Sequence, residues 1–269
     1  MKDHVPFLDT DTMEWAPGEF PGQFSKLLSS NPKTGARTGL QCIDPARGYK
    51  APTQAHYHPD QDEELLVLKG RFSFDGENWL GANSYCFHPG DTVHGFKSAV
   101  AEESWFISRI TKPLSFGFEE NPKQFQPYSR VDKETGRPIR IIRDVLTEND
   151  WTDVKDASGK VAYQQLILGE HNQTGEGSKV VRLPAGWKSP HGSHFHSVYE
   201  EIFVMAGEVT DADGRVFGAG CYAFTPANTL KPALASAKGA VVYVNYGGAL
   251  DFLPASRFNA QLNAMKKAG

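Results

Sequence analysis

Two His-X-His pairs, each followed by a glutamate, are the residues of this 269-residue chain whose types and spacing could do chemistry. The first pair opens the stretch "HYHPDQDEELLVLKG" at His56, and the second opens "HFHSVYEEIFVMAG" at His194. Imidazole nitrogens and carboxylate oxygens together are common ligands of divalent metals. A pattern that occurs twice therefore indicates metal chemistry rather than a chance pair of surface histidines.

The first set predicts a four-ligand site. Alternate residues of a β-strand share one face, so His56 and His58 would project side by side into a barrel, with Glu63 arriving from the next strand. His94, in "HPGDTVHG", supplies a third imidazole. Three imidazole nitrogens and one carboxylate oxygen suit Fe(II), Mn(II), Ni(II) or Zn(II) and leave one or two positions open. We expect one divalent metal per chain here.

The second set lacks the last histidine. When "LGANSYCFHPGDTVHGF" is aligned without a gap to "FGAGCYAFTPANTLKPA", Lys231 stands where the first copy has His94. A lysine must lose a proton before it can ligate a metal, and its longer stem places the nitrogen differently. Lys231 is instead a candidate substrate-binding residue, because its positive charge would attract an anionic substrate.

What remains of the second set is open to two interpretations. Two histidines and one carboxylate can still hold a second metal, and His191 lies close enough in sequence to be a substitute ligand. The alternative is a structural barrel with a vestigial pocket. The residues concerned are His194, His196 and Glu200.

Both sets belong to a longer internal repeat that sets the fold class. Residues 24–58 align with residues 163–196, and residues 80–96 align with residues 217–233. Each copy consists of short apolar segments separated by Gly, Pro, Asn and Asp, which is typical of an antiparallel sandwich or small barrel. The chain is thus expected to be all-β and to contain two copies of one unit.

The repeated motifs resemble those of the cupin superfamily. Residues 48–70 resemble the first cupin motif, which runs from a glycine through His-X-His and Glu to a closing Gly, and residues 81–95 resemble the second motif. The second copy matches the first motif at residues 186–207 and the second motif only in part, at residues 218–232. The chain as a whole resembles a two-domain cupin, or bicupin, and is similar in detail to anti-sigma-factor-type and acetylacetone-dioxygenase-type cupins.

The resemblance implies two tandem jelly-roll-like cupin β-barrels with a metal near the centre of a functional barrel. We expect an N-terminal cupin domain over residues 1–118, a linker over residues 119–140 and a C-terminal cupin domain over residues 141–269. Helical periodicity is present only in "SRFNAQLNAMKKAG", which predicts a short C-terminal helix.

Three functions are compatible with such a site. A metal with open positions can bind an enolate together with dioxygen, which predicts dioxygenase-like cleavage of a small β-diketone, enol or hydroxylated aromatic at the N-terminal site. The same metal could polarise a carbonyl, as an isomerase or lyase requires. A non-enzymatic metal-dependent sensor or ligand-binding cupin is the third reading.

Composition narrows the partners. A formal net charge of -4 and a pI near 6.1 give no support for nucleic acid or an anionic membrane, and no apolar run reaches the length of a membrane span. The first residues contain acidic side chains where a secretory signal needs an apolar centre, so a cytoplasmic protein is expected. We expect a small-molecule substrate or ligand, and exposed strand edges favour a homodimer.

Several other residues invite simpler interpretations. Three cysteines without C-X-X-C spacing are expected to be buried and reduced. His88 directly precedes a Pro-Gly pair and is expected at a surface turn, whereas Asp60 and Asp62 are expected to be solvated loop carboxylates.

Overall fold

The structure, a computed structural model, describes residues 2–95, 97–120 and 136–258. Over these residues the chain is all-β, with two short 3-10 helices at Thr10–Thr12 and Pro45–Arg47. Residues 255–258 begin the predicted C-terminal helix. The remainder of that helix and most of the predicted linker over residues 119–140 lie outside the described residues.

The strands fall into two compact units. The first unit is Thr12–Asn149, which we call the N-terminal barrel, and the second is Met1–Asp11 together with Asp150–Gly269, which we call the C-terminal barrel. The strands of the N-terminal barrel are β2 (Ala16–Pro17), β3 (Gln23–Ser30), β4 (Arg37–Ile43), β5 (His56–Tyr57), β6 (Glu63–Lys69), β7 (Phe72–Ser73), β8 (Trp79–Leu80), β9 (Tyr85–His88), β10 (Ala99–Val100), β11 (Ser104–Ile110), β12 (Gly117–Phe118) and β13 (Arg140–Ile142). The strands of the C-terminal barrel are β1 (Val5–Asp9), β14 (Thr152–Lys155), β15 (Val161–Glu170), β16 (Glu176–Leu183), β17 (Trp187–Lys188), β18 (His194–Phe195), β19 (Glu200–Asp211), β20 (Val216–Gly218), β21 (Cys221–Thr225), β22 (Leu234–Ser236), β23 (Ala240–Gly247) and β24 (Leu253–Pro254).

The N-terminal barrel is built on a sheet in the order β13-β9-β6-β11-β4-β3-β2, with a second sheet β10-β7-β8 and a two-stranded pair β12-β5. All of its strand pairs are antiparallel, so residues alternate between two faces along each strand. The inward face of the sheet carries the apolar core. The polar residues of the site lie on the same face, where β6 begins and β9 ends. The core residues are Ile43, Leu65, Val67, Phe72, Leu80 and Cys86.

The C-terminal barrel repeats this plan. Its main sheet follows the order β1-β21-β19-β23-β16-β15-β14, and the two-stranded pair β18-β24 corresponds to β12-β5. Its strands are rich in β-branched residues, which pack well on a pleated surface. The buried core residues are Val181, Leu183, Ile202, Val204, Val209, Cys221, Ala240, Val242, Val244 and Tyr246.

The two repeats exchange their first strands, so the units differ from the expected boundaries. Strand β1, from the start of the chain, pairs with β21 in the C-terminal barrel, whereas β13 pairs with β9 in the N-terminal barrel. Residues up to Asp11 therefore belong with the second unit, and residues 141–149 belong with the first. The boundaries of the two units depend on which strands pair at the sheet edges. The order of the motifs along the sequence does not indicate that pairing.

A buried acid anchors each exchanged segment. In the N-terminal barrel the Tyr85 hydroxyl donates to Glu64 Oε1 at 2.6 Å, and Arg137 Nη2 lies 3.6 Å from the same oxygen. In the C-terminal barrel the Tyr222 hydroxyl donates to Glu201 Oε1, and Lys2 Nζ lies 3.4 Å from it. Each glutamate faces away from the histidines, as the strand alternation predicts.

Two further expectations concern the whole chain. Cys42, Cys86 and Cys221 are free and buried, which confirms the expectation of reduced thiols. Within the described ranges, the structure has no helix with the length and apolarity that crossing a membrane requires.

Candidate metal centre and its counterpart

The N-terminal site lies where the short strand β5 meets the loop after β9. His56 begins β5, and an isolated bridge joins its backbone to that of His94, with N–O distances of 2.9 and 2.8 Å. Glu63 is the first residue of β6. His56, His58 and His94 are each at most 5% exposed. The structure therefore brings the three predicted histidines together and places the predicted Glu63 beside His94.

Backbone carbonyls fix the orientation of all three rings. The Nδ1 atoms of His56, His58 and His94 donate to the carbonyl oxygens of Gln54, Ser115 and Thr92 at 3.0, 2.8 and 2.8 Å. With the proton on Nδ1, the lone pair of each ring is on Nε2. Hydrogen bonds of this kind fix the tautomer and orientation of metal-ligating histidines.

The potential ligand atoms form two overlapping groups. His56, His58 and His94 offer nitrogens within 4.8 Å of one another, and Glu63, His88 and His94 form a second group by the same measure. Glu63 Oε2 lies 3.6 Å from His94 Nε2 and has no hydrogen-bond partner among the described residues. A buried carboxylate oxygen without a partner is costly unless a cation binds it. The residues present thus fit a divalent metal.

His88 is part of this site, which corrects the expectation of a surface turn. It is the cross-strand neighbour of Glu63, is 3% exposed, and places Nδ1 3.5 Å from Glu63 Oε2. Its Nε2 lies 3.4 Å from Cys86 Sγ. The signal was the alternation in "YCFH", which puts Cys86 and His88 on the inward face, whereas the following Pro-Gly suggested a turn.

Burial and charge act against each other on the side chains of this site. Burial lowers the pKa of His56, and burial together with the charge of His88 lowers the pKa of His94 well below its usual value. Burial also opposes protonation of His88, but Cys86 and Glu63 raise its pKa to about 10. For Glu63, burial would raise the pKa, yet His88 and the other histidines hold it below its usual range. The metal-free site therefore combines neutral His56 and His94 with an ionised Glu63, the forms that bind metal, and with a protonated His88.

Aromatic rings and a glycine frame the site. Phe116, which is 42% exposed, packs against His58 with ring centroids 5.0 Å apart, and Phe74 lies 5.3 Å from His94. Gly95 adopts φ +78°, and a Cβ there would lie 2.2 Å from His56 Cε1. Only glycine combines that backbone conformation with this close approach of the imidazole.

The other predicted loop carboxylates take structural roles. Asp60 is exposed, with φ +50°, in the turn after β5. Asp62 Oδ1 accepts a hydrogen bond from the backbone N–H of Gly90 at 3.0 Å, and its own N–H donates to Thr111. Asp62 thus positions the loop that leads into His94.

The C-terminal barrel reproduces the support of the histidines. His194 Nδ1 donates to the Gly192 carbonyl at 2.8 Å, and His196 Nδ1 donates to the Asp251 carbonyl. Phe252 lies 5.0 Å from His196, as Phe116 lies from His58. A backbone bridge joins His194 to Lys231, the counterpart of the bridge in the first barrel.

The fourth position is where the two sites differ. Lys231 Nζ forms an ion pair with Glu200 Oε2, and His196 Nε2 lies 3.7 Å from Glu200 Oε1. Burial lowers the pKa of Lys231 to about 7, and burial together with the lysine charge lowers the pKa of His196 to about 4. Among the described residues of this barrel, no three His, Cys, Asp or Glu side chains bring ligand atoms within 4.8 Å of one another.

His191 packs against Phe252 beside the other two histidines. Its ring stacks on Phe252 with a centroid distance of 3.9 Å, and it lies 6.1 Å from the ring of His194. His191 therefore contributes to the wall of the pocket.

Comparison with protein families decides the placement of the chain. The ChrR cupin-like domain matches twice, at residues 4–114 and 144–250. The chain belongs to the ChrR cupin-like family. Both matches lie on the repeats found in the sequence, and they confirm the resemblance to a two-domain cupin. A comparison of this ChrR cupin-like chain with curated proteins found no match.

Solved structures share the fold of this ChrR cupin-like chain. A proposed dioxygenase from Nostoc punctiforme matches with a TM-score of 0.68 and 17% identity, over 90% of this chain and 82% of its own. Salicylate 1,2-dioxygenase from Pseudaminobacter salicylatoxidans matches with a TM-score of 0.57 and 14% identity, over 88% of this chain and 78% of its own. Oxalate decarboxylase from Lactobacillus farciminis matches with a TM-score of 0.52 and 13% identity, over 95% of this chain and 90% of its own. At these identities the similarity is one of fold.

Proposed function

We propose that the chain is a metal-dependent, dioxygenase-like enzyme that acts on a small β-diketone, enol or hydroxylated aromatic at the N-terminal site. The observation that carries the proposal is the set of three inward Nε2 lone pairs beside the unpartnered Glu63 oxygen. Histidine and carboxylate ligands with open positions are typical of non-haem iron oxygenases. Two proteins that share the fold support this function: salicylate 1,2-dioxygenase, and the Nostoc punctiforme protein that is described as a proposed dioxygenase.

The chain's own residues divide the work. A divalent metal held by His56, His58, His94 and Glu63 would supply Lewis acidity toward an enol or phenol oxygen and, as Fe(II), the redox chemistry that dioxygen needs. Glu63 has an alternative role: instead of binding the metal, its carboxylate could accept the proton that an enol or phenol loses on binding.

The aromatic side chains select the substrate. Phe116 and Phe74 pack against the histidines and give the site apolar walls. Phe116 is half exposed, so it lies at the mouth of the site, where a flat apolar molecule can enter. Such walls exclude water and favour a substrate with an apolar or aromatic body.

The test combines metal content with oxygen consumption. Protein purified without added metal is analysed by mass spectrometry for bound metal, and Fe(II)-loaded protein is screened with pentane-2,4-dione and 2,5-dihydroxybenzoate in an oxygen electrode. We expect about one metal per chain at the single complete ligand set and oxygen uptake that depends on substrate.

The repeat provides a matched control. His56→Ala should abolish metal binding and oxygen uptake, whereas His194→Ala, the same change at the equivalent position, should preserve both. Metal retained in His56→Ala would overturn the assignment of the metal to the N-terminal site. Bound Fe(II) without oxygen uptake for either class of substrate would overturn the enzymatic proposal.

A metal-dependent sensor is the second candidate, and the position of His88 favours it. If His88 joined the other three histidines and Glu63, five donors would surround the metal and leave few positions open. Nitric oxide added to the Fe(II) protein distinguishes the two functions. A new paramagnetic resonance signal of the nitrosyl adduct requires an open position and supports the enzyme, whereas an unchanged spectrum supports the sensor.

A further inference from the structure

The interior of the C-terminal barrel contains a cavity of about 110 Å³ that is separate from the proposed metal site. Its walls are mostly apolar side chains from β16, β19 and β23, together with aromatic rings. Lys231, Glu200 and His194 lie on one part of the lining. The apolar wall residues include Val181, Ile202, Val242, Leu250 and Phe252.

The charges that line the cavity are compensated. Lys231 pairs with Glu200 inside the cavity, and both side chains are about one-tenth exposed or less. The other lysine of the lining, Lys179, donates to Gln165 at 3.1 Å and interacts with the charge of Glu170. Burial keeps His194 neutral by lowering its pKa. An anion would therefore meet Glu200, and a cation would meet Lys231, so the cavity favours an uncharged occupant.

The remaining polar atoms specify what the occupant carries. The Lys231–Glu200 pair presents a donor next to an acceptor, which is the complement of one hydroxyl group. Trp187 also lines the cavity, and its indole N–H is buried without a partner among the described residues. A buried N–H of this kind can donate to the face of an aromatic ring.

We propose that this cavity is a second, metal-independent binding site for a small uncharged aromatic molecule with one hydroxyl group. An apolar cavity of about 150 Å³ holds a benzene molecule, so a space of 110 Å³ limits the occupant to about one ring. The ring lies among Trp187 and Phe252, and the hydroxyl group lies at Lys231 and Glu200. The buried ion pair occupies the position at which the first barrel would hold a metal.

Calorimetry with simple ring compounds tests the proposal. Full-length protein is stripped of metal with a chelator and titrated with phenol, benzoate and benzylamine, which share the ring and differ in charge. We expect phenol to bind with a dissociation constant on the order of 0.1 mM, a value reachable for seven heavy atoms. Benzoate and benzylamine should bind at least about 10-fold more weakly, because each faces a like charge.

Three variants locate the binding. The double variant Lys231→Met with Glu200→Gln removes the pair without leaving a lone charge and should weaken phenol binding by about 10-fold or more. Leu250→Trp, at a half-buried wall position, fills the cavity and should abolish binding even if the double variant fails to fold. His94→Ala, in the other barrel, should leave phenol binding unchanged.

The outcomes separate this site from the proposed enzyme. Phenol binding that survives metal removal and His94→Ala but is lost in Leu250→Trp supports the second site, whatever the first barrel catalyses. Equal binding of phenol in Leu250→Trp and the unaltered protein would overturn the location. Benzoate binding more tightly than phenol would overturn the assignment of an uncharged ligand.

Discussion

The two barrels hold their histidines in the same way and complete the site differently. In both, the imidazoles are oriented by backbone carbonyls, and a phenylalanine packs against the second ring of the pair. The fourth position is His94 in one barrel and Lys231 in the other. Since backbone groups orient the rings, that support persists when one ligand is exchanged.

The difference shows two ways to stabilise one buried glutamate. Glu63 Oε2 has no hydrogen bond among the described residues; in metal-free protein the protonated His88, 3.5 Å away, supplies a positive charge, and a divalent metal from outside the chain would take over that role. Glu200 already has a cation, because Lys231 Nζ lies against its carboxylate. The lysine thus gives Glu200 a positive charge at the position where the first barrel would place a metal.

The largest expected effect comes from exchanging the fourth residue. His94→Ala should lower metal affinity by more than about 100-fold, because loss of even an indirect partner of a ligand costs roughly 10–100-fold. The equivalent change in the other barrel, Lys231→Ala, should leave the metal content at its original value. Mass spectrometric metal analysis after dialysis checks both, and equal loss in the two variants would show that the barrels share one metal function.

The next effect concerns stability. Glu200→Gln leaves the Lys231 ammonium buried without its partner, which should lower the free energy of unfolding by about 3–5 kcal/mol. Glu63→Gln in metal-free protein should cost less, because His88 can release its proton. Urea denaturation followed by tryptophan fluorescence measures both, and a larger loss for Glu63→Gln would contradict the comparison.

The features behind these two predictions differ in how far the sequence alone could predict them. The sequence alone predicted the repeat, the paired motifs and the replacement of a histidine by Lys231, because strand periodicity translates residue type and spacing directly into a position on the barrel. The ion pair of Lys231 with Glu200 was not, since it depends on the path of a long flexible side chain. His88 was missed because its role depends on the cross-strand register with Glu63.

A pH titration should separate the barrels by the sign of the effect. Unfolded histidine takes up a proton near pH 6.5, whereas buried His196 does so only near 4, so acid favours unfolding between these values. At pH 5 this should cost about 2 kcal/mol relative to pH 7, at about 1.4 kcal/mol per pKa unit. Urea denaturation at both pH values should show a smaller difference in His196→Gln.

The first barrel should respond to alkali instead. The pKa of His88, near 10 in the folded protein, lies above its unfolded value, so its contribution is present below pH 6.5 and is lost as pH rises toward 10. His88→Gln should therefore reduce the loss of stability between pH 7 and pH 9 in metal-free protein. An unchanged pH dependence in that variant would contradict the role assigned to the Glu63–His88 pair.

The smallest effect tests the packing of one ligand. Gly95→Ala places a methyl group against the His56 ring and forces a left-handed backbone on alanine, at a cost of about 1–2 kcal/mol. Metal affinity should fall by about 10-fold. In the second barrel the equivalent residue is Pro232, so Pro232→Ala should leave metal content unchanged, and equilibrium dialysis against a metal buffer compares the two.

The exchange of first strands has a consequence for the order in which the chain folds. Thr10 hydrogen bonds to Gly220, 210 residues away, so β1 leaves the ribosome long before β21 exists. At roughly 5–20 residues per second, the nascent segment waits about 10–40 s for its partner. The first barrel, by contrast, needs only the segment up to Ile142, because its last strand, β13, pairs with β9 from the same half of the chain. During synthesis the N-terminal barrel should therefore close first, while β1 stays unpaired until the C-terminal barrel forms.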